Sequence, residues 1–353
     1  MIGFGLLGCG RIAKRHADIL AQRLVAGARL AAVCDCVPEA ASRFSKTYGV
    51  PAVPNLMDLL AMKEVDVVSI LTPSGLHAEH AITVAKARKH VVVEKPMALR
   101  LGDADAMIRA CDEAGVKMFV VKQNRFNVPI LKARQALQKG RFGRLVLGSV
   151  RVRWCRPQAY YDQAPWRGTW KFDGGVLSNQ ASHHIDMLEW FMGGVESVHA
   201  RAMTALVNIE AEDTAIATLK FTNGALGIIE ATTAARPKDV EGSISMLGEK
   251  GMVEIGGLAM NEIRHWMFAD AEPEDEEVQT RYSVNPPNVY GFGHQAYYAH
   301  VMECLERDGP ALVDGLEGRK SLELITALYE SIETGNSVDL RFRPKLSRLG
   351  RIV

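Results

Sequence analysis

The first twenty residues constrain the fold more than any other part of the chain. Residues 2–7 form a short apolar run, Gly8-Cys9-Gly10 interrupts it, and from Arg11 onward Ile12, Ala13, His16, Ala17, Ile19 and Leu20 recur near the helical period to about residue 22. The order is strand, tight turn, helix. Glycines allow backbone angles closed to other residues and let main-chain N–H groups approach a ligand, while the helix directs its positive dipole end at the same spot. Such a turn suits a pyrophosphate. Gly8, Gly10 and Ala13 fill the three small positions of the G-x-G-x-x-G/A pattern, so Gly8, Gly10, Arg11 and Ile12 are candidate contacts to a dinucleotide. A second apolar run, 28–34, ends in Asp35, a carboxylate suited to accept hydrogen bonds from an adenosine ribose. It lies about 25 residues beyond Gly10 rather than the usual 20 or so, a surplus that residues 23–27 can absorb. Asp35 would repel a 2′-phosphate and no basic residue directly follows it, so NAD is favoured over NADP. The competing reading of Asp35 is a solvated turn residue.

Strand and helix patterns keep alternating after this unit. Helices are expected over 38–49, 56–62, 78–89 and 103–114, and strands over 65–71, 90–94 and 117–121. The run VDVVSIL at 65–71 is continuously apolar, as in a strand buried on both faces, and it ends in Thr72-Pro73-Ser74-Gly75, where open α/β sheets receive ligands. This rhythm predicts a doubly wound parallel sheet. Beyond Gln123 it changes: a helix over 129–139 is followed by long alternating segments at 145–154, 197–207, 213–221, 225–233, 241–247 and 251–255, which predict a large, mostly antiparallel sheet with one face covered. A chain of 353 residues exceeds the usual single-core size, so the expectation is a dinucleotide-binding domain over 1–123 and an α+β domain over 124–353. The acidic stretch 270–277 reads as a solvated loop, and a final helix is expected over 316–334.

Bulk properties exclude several classes. Lys+Arg at 42 against Asp+Glu at 41 leaves no broad electrostatic footprint for nucleic acid or an anionic membrane. Apolar runs stay short of the 18 or so residues that cross a bilayer, and no basic segment precedes the first strand, so a cytoplasmic protein is expected. Cys9, Cys34, Cys36, Cys111, Cys155 and Cys304 include no C-x-x-C pair and read as reduced; no metal site is expected.

Two constellations carry reactive chemistry. Glu94-Lys95-Pro96 ends an apolar strand at the edge of the sheet that bears the glycine turn, which aims Lys95 at the ligand; Pro96 disfavours the helical region for Lys95, and an apolar cleft lowers an amine's pKa toward the range useful in proton transfer. The alternative is a surface lysine at a strand end. In the second, Gly174-Gly175 gives a flexible entry to a helical segment in which Asn179, His183 and Asp186 share one stripe and His184 is turned about 100° away. His183 has the pKa to take a hydroxyl proton while hydride leaves the same carbon; a buried, hydrogen-bonded histidine is the alternative. Between these lies WCRPQAYYDQAPWRGTW (154–170), where Arg156 and Arg167 offer planar partners to carboxylate or phosphate and Tyr160 and Trp166 offer stacking faces, or else the loop is an interface between subunits. NPPNVYGFGH (285–294), with Tyr290 and His294, has the same character.

Taken together, the glycine turn, the strand-end Glu94-Lys95-Pro96 and the Gly-Gly-x-x-x-Asn-x-x-x-His segment before an antiparallel domain resemble the Gfo/Idh/MocA oxidoreductases. Within that family Gln123-Asn124-Arg125-Phe126-Asn127, the Tyr160–Trp170 loop, Ser178-Asn179-Gln180 and the segment around Tyr290 are similar to UDP-N-acetyl-glucosaminuronate 3-dehydrogenases. The resemblance implies that Lys95, His183 and Asn179 are catalytic. It further implies that Thr72, Ser74, His77, Glu94, Lys95, Gln123, Trp166 and Arg167 join the glycine turn in contacting NAD, and that Lys95, Arg156, Tyr160, Asn179, His183, Tyr290 and His294 contact a UDP-linked 2-acetamido uronic acid. A homotetramer and reoxidation of the cofactor by 2-oxoglutarate, known in some relatives, are also implied. Many family members carry aspartate where this chain has Asn179. The rival readings are a dehydrogenase of inositol or another sugar on the same fold, and a non-catalytic sugar or NAD sensor.

Overall fold

The alternation expected for the N-terminal part builds a parallel sheet. In the computed structural model, which describes residues 1–284, 286 and 291–340, β1 (Ile2–Leu7), β2 (Ala28–Cys34), β3 (Ala52–Val53), β4 (Val67–Ile70), β5 (His90–Val93) and β6 (Met118–Val120) lie in the order β3-β2-β1-β4-β5-β6. Every pairing is parallel. The helices α1 (Ala13–Ala21), α2 (Pro38–Tyr48), α3 (Leu56–Ala61), α4 (His77–Lys86) and α5 (Leu101–Ala114) connect them. Local chemistry sets their ends: Pro38 opens α2, Gly49 closes it in the left-handed region (φ 67°), and the Asn55 side chain caps α3 by accepting the Asp58 N–H. Strand order reverses between β1 and β4, which opens a crevice at the carboxyl ends of those strands.

The second sheet contains β7 (Leu145–Arg153), β8 (Val195–Met203), β9 (Thr214–Phe221), β10 (Leu226–Thr232), β11 (Glu241–Gly248), β12 (Gly251–Gly256), β13 (Glu262–Phe268) and β14 (Val338–Asp339), in the order β13-β12-β11-β7-β10-β9-β8-β14. It is antiparallel except where β7 meets β10, with Leu147 opposite Leu226 and Arg153 opposite Thr232. The chain leaves β7 through a long helical excursion before it re-enters the sheet, so no hairpin forces those two strands to run in opposite directions. The remaining helices are α6 (Val128–Gln138), α7 (Gln158–Tyr161), α8 (Ser182–Met192), α9 (Asp275–Arg281), α10 (Gly293–Glu306) and α11 (Gly315–Thr334). One sheet face packs on α8; there a Cβ on Gly148 would come within 2.6 Å of Met192 Cγ, so only glycine lets strand and helix approach this closely. The other face is open and carries exposed Ile216, Leu226 and Ile228 beside the Arg153–Glu230 pair.

Three features depart from the expectations. Strand β13 and helix α10 were not legible as elements, and Tyr297, Tyr298, Val301 and Met302 of α10 pack with Phe4, Leu6, Ala13 and Leu20, on one face of the N-terminal sheet. The acidic stretch is not simply solvated: α9 begins at Asp275, whose carboxylate accepts from Arg141 (2.8 and 2.5 Å) and from the Trp266 indole (2.7 Å). All six cysteines are free thiols. Among the described residues no helix is long and apolar enough to cross a membrane.

Candidate active site

The turn after β1 leaves the start of α1 open. Gly8 sits at φ 102°, and a Cβ there would lie 2.9 Å from the Leu71 carbonyl oxygen, so this position needs glycine for both its angle and its closeness to the end of β4. A Cβ on Gly10 would meet nothing within 4 Å, and α1 has no side-chain cap and no acidic residue in its first turn. Its first N–H groups are therefore free of a competing carboxylate, as an anionic ligand requires. Arg11 is exposed and Ile12 half-buried at this turn. Asp35 accepts the Cys9 N–H (2.7 Å) and the Val37 N–H (2.8 Å), tying the glycine turn to the end of β2. These residues fit a dinucleotide: a positive helix end for phosphate and a half-buried carboxylate one strand away for ribose hydroxyls.

Across the crevice, Thr72 bonds His80 (3.0 Å) and Ser74 opens a short 3-10 turn. His77 lies buried between the carbonyl oxygens of Pro96 and Thr72, each 2.8 Å from a ring nitrogen, and burial pushes its pKa down. Its ring joins two strand-end loops from beneath instead of lining the crevice. Gly75, the last residue of the expected strand-end turn, is needed for a close approach: a Cβ there would lie 2.3 Å from the Lys171 carbonyl oxygen, and its N–H donates to the Phe172 carbonyl (3.1 Å). Through it the β4 loop and the aromatic loop come into direct contact.

Lys95 leaves the end of β5 and reaches the second domain. Its Nζ donates to the Asn179 main-chain oxygen (2.7 Å) and to Asn179 Oδ1 (3.3 Å). Burial pushes the Lys95 pKa down, opposed by the negative charges of Glu94 and Asp173. Asn179 lies in a single π-helical turn, Val176–Gln180, and α8 starts two residues later with His183 in its first turn. The glycines before this turn are there for close approach as much as freedom: a Cβ on Gly175 would meet Glu212 Oε2 at 2.1 Å. His183 is buried and its Nε2 faces Gln123 Nε2 at 3.1 Å. Because an amide nitrogen only donates, that His183 nitrogen is the unprotonated one. Burial, together with the positive charge of Lys95 and Lys122, holds the imidazole well below its usual pKa and hence neutral.

The aromatic loop closes the far side. Arg167 donates to Tyr160 Oη (2.5 Å) and stacks over the Tyr160 and Trp166 rings, while Gln180 Nε2 donates to the same hydroxyl (3.1 Å). Arg156 stacks over Trp154 and Tyr160 and pairs with Asp239 (2.8 Å). Lys95 with Asn179 and Gln123 with His183 thus form two hydrogen-bonded pairs on neighbouring segments, and Arg156, Tyr160 and Arg167 are joined to the first pair through Gln180, which also bonds Asn179 and Arg156.

One other expected residue lies elsewhere. His294 is fully buried behind the strand end, its Nε2 4.0 Å from Glu94 Oε1 and its ring edge-on to His16. Tyr290 falls outside the described residues. Glu94 itself points away from the crevice: burial opposes its charge, but the His16 hydrogen bond (3.0 Å) and the nearby His294 and Lys95 outweigh it and hold the pKa at about 2. His16, Glu94 and His294 bring ligand-type atoms within 4.8 Å of one another, yet His16 spends its other nitrogen on Tyr298 Oη (2.6 Å), so the group is an internal hydrogen-bond cluster. Asp186, expected on the stripe of His183, pairs instead with buried Arg125 and Lys122. Sequence reasoning missed Asp173 and Glu212, buried carboxylates that hold the π-helical turn: Asp173 accepts from Asn179 Nδ2 and Glu212 accepts the Leu177 N–H (2.9 Å). No spacing signal marks either, since their partners are distant in sequence or depend on an irregular turn.

Comparison with known proteins agrees with this geometry. Residues 2–122 match the model of the oxidoreductase family NAD-binding Rossmann fold, and residues 134–340 match that family's C-terminal alpha/beta domain, named for Gfo/Idh/MocA. The chain belongs to the Gfo/Idh/MocA oxidoreductase family. It is an NAD-dependent oxidoreductase of the sugar dehydrogenase type, acting on CH–OH. Among solved structures it is similar to the WlbA dehydrogenase from Bordetella pertussis in complex with NADH and UDP-GlcNAcA, at 46% identity and TM-score 0.89 over 97% of this chain and 99% of that one. The WlbA dehydrogenase from Chromobacterium violaceum, in complex with the same two ligands, is 44% identical with TM-score 0.90 over 97% of each chain. Among curated proteins, myo-inositol 2-dehydrogenase from Thermotoga maritima is 29% identical over 95% of this chain and 98% of its own length.

Proposed function

We propose that this enzyme oxidises the C3 hydroxyl of a UDP-linked 2-acetamido-2-deoxy uronic acid to the 3-keto sugar, a step in making surface-polysaccharide sugars. The observation that carries the reading is the Lys95–Asn179 hydrogen bond with His183 one turn further on, beside the glycine turn. Similarity to two dehydrogenases crystallised with NADH and UDP-GlcNAcA supports the sugar nucleotide as substrate. Bound NAD⁺ supplies the hydride acceptor. Gly8, Gly10, Arg11, Ile12 and Asp35 would hold its adenosine and pyrophosphate, and Thr72, Ser74, Gln123, Trp166 and Arg167 the remainder.

His183 takes the hydroxyl proton on Nε2, the unprotonated nitrogen of the neutral ring, once the substrate hydroxyl displaces the Gln123 amide from its lone pair. Lys95, whose pKa burial pushes down against the opposing charges of Glu94 and Asp173, polarises the oxygen in its ammonium form as the carbonyl develops. Asn179 orients the hydroxyl or the acetamido group, and Arg156 and Arg167 are suited to the uronate and diphosphate charges. The open sheet face bearing Ile216, Leu226 and Ile228 supports association into a homotetramer.

A substrate panel read by NADH absorbance tests the reading: UDP-N-acetylglucosaminuronate should be oxidised with kcat/KM at least a hundredfold above myo-inositol and above UDP-N-acetylglucosamine. Preference for myo-inositol would favour the inositol dehydrogenase reading, in keeping with the Thermotoga relative. His183→Ala should bind NADH normally and lose turnover by about a hundredfold or more; near-normal turnover would remove His183 as base. Native mass spectrometry of the purified protein, with and without 2-oxoglutarate, reports subunit number and whether bound NADH is reoxidised in place.

A further inference from the structure

We propose that Asp173 is a positioning residue for this oxidation: through the side-chain amide of Asn179 it fixes where the Lys95 ammonium sits and which way the groups around it point. The proposal rests on Lys95 acting as assigned above. Asp173 is buried, and both of its carboxylate oxygens accept: Oδ2 takes the Gly168 N–H (2.8 Å) and Oδ1 takes Asn179 Nδ2. A carboxylate only accepts, so it dictates that Asn179 turns its NH₂ toward Asp173 and its Oδ1 the other way. That oxygen then accepts from Lys95 Nζ (3.3 Å) and from Gln180 Nε2 (3.2 Å). With the amide reversed, an NH₂ would face an ammonium and a second NH₂, while two oxygens would meet at Asp173. Three parts of the molecule meet through this one carboxylate: the β5 end through Lys95 and Asn179, the π-helical turn through Asn179, and the aromatic loop through Gly168.

Charge points the same way. The groups that act electrostatically on Lys95 are Glu94, Asp173, Lys122 and Arg156, so Asp173 is one of two anions set against two cations. Lys95 and Arg167 act on Asp173 in turn, with Tyr161 nearby. Asn179 is neutral, so the negative charge on the second-domain side of Lys95 comes from Asp173, one amide away. Asparagine at 173 would remove that charge and lose one hydrogen bond in either orientation, because the two N–H donors it faces require two acceptors.

The test compares wild type with Asp173→Asn, Asp173→Glu, Asn179→Ala and the Asp173→Asn/Asn179→Ala double variant. The first readout is the pH dependence of Lys95 acetylation by acetic anhydride in the NADH-loaded protein, followed by peptide mass spectrometry. The second is steady-state oxidation of UDP-N-acetylglucosaminuronate. Asp173→Asn should lower the pH of half-maximal labelling by about 1 unit or more, reduce kcat at least tenfold, and leave the KM for NAD⁺ within about twofold. Asp173→Glu should recover part of kcat, and the double variant should be no slower than the slower single variant, since both act through one contact. An unchanged labelling midpoint, or losses that multiply in the double variant, overturns the proposal. Should Asp173→Asn not fold, Asn179→Ala carries the labelling arm alone: a displaced midpoint for Lys95 acetylation supports the relay and an unchanged midpoint overturns it. If wild type fails to oxidise the sugar nucleotide, the substrate reading falls, while the labelling arm still decides the role of Asp173.

Discussion

Asp186→Ala tests the joint between the two sheets. On α8, one turn beyond His183, Asp186 accepts from Arg125 Nε (2.8 Å) and Nη2 (2.9 Å), with Lys122 Nζ 3.5 Å away, and the three side chains are each only 2–3% exposed. Burial opposes the Asp186 charge, but Arg125 and Lys122 more than compensate and hold its pKa below the usual carboxylate range. Without it, Arg125 keeps Glu317 (2.9 Å) and the Trp190 ring, and Lys122 keeps the Ser321 hydroxyl (2.8 Å) and the more distant charge of Glu189. Removing one partner of a buried pair costs about 3–5 kcal/mol because the remaining charge is stranded. With an unfolding entropy of about 2.1 cal/mol/K per residue, a chain of this length should lose roughly 4–7 °C in Tm.

The same variant has a pH signature with a definite sign. Arg125 stays charged, but Lys122, its pKa already lowered by burial, can shed its proton. Between that lowered pKa and the unfolded value near 10.4, the unfolded chain binds more protons than the folded one, so stability rises with pH. Differential scanning calorimetry should therefore find a larger deficit at pH 6.5 than at pH 9.5. A Tm loss under about 1.3 °C at pH 7 would mean that the pair is worth no more than an exposed one, about 1 kcal/mol or less, and would refute the reasoning.

Two further outcomes follow from close contacts. Gly75→Ala would drive a Cβ into the Lys171 carbonyl, 2.3 Å away, and force apart the β4 loop and the aromatic loop; NADH binding followed by fluorescence should weaken about fivefold or more, and unchanged affinity would dissociate that contact from the cofactor site. Burial raises the Glu212 pKa to about 7 against the hydrogen bonds from Leu177 and Tyr329. The folded state then binds more protons than the unfolded state between about pH 4.5 and 7, so stability falls by about 3 kcal/mol as pH rises through that window. Burial raises the Glu189 pKa to about 7 as well, so Glu212→Gln should remove only the Glu212 share of this slope in urea titrations, and a slope equal to wild type would count against it.

How much of this was legible in the sequence depended on the range of the interaction involved. The glycine turn, the apolar runs of β1, β2, β4 and β5, and the Pro38 and Gly49 helix ends are local features, set by backbone sterics and by periods of two or 3.6 residues, and they read directly. Lys95 and His183 were legible as candidates because each ends or follows a recognisable element. Helix α10 was not read from the sequence at all, and nothing local says that its Tyr297, Tyr298, Val301 and Met302 pack on β1 and α1.

Tertiary structure alone decided the rest. His294 has the composition of a ligand contact, yet it folds inward beside Glu94 and His16. Asp186 lies on the stripe of His183 by spacing, yet the packing of α8 pairs it with the buried Arg125 and Lys122. Asp173 and Glu212 gained meaning only once distant segments met. Sequence fixes torsional preference and apolar period, which act over a few residues. Which charge faces which is set by chain segments up to hundreds of residues apart, and it is settled only when burial removes the water that would otherwise satisfy each group alone.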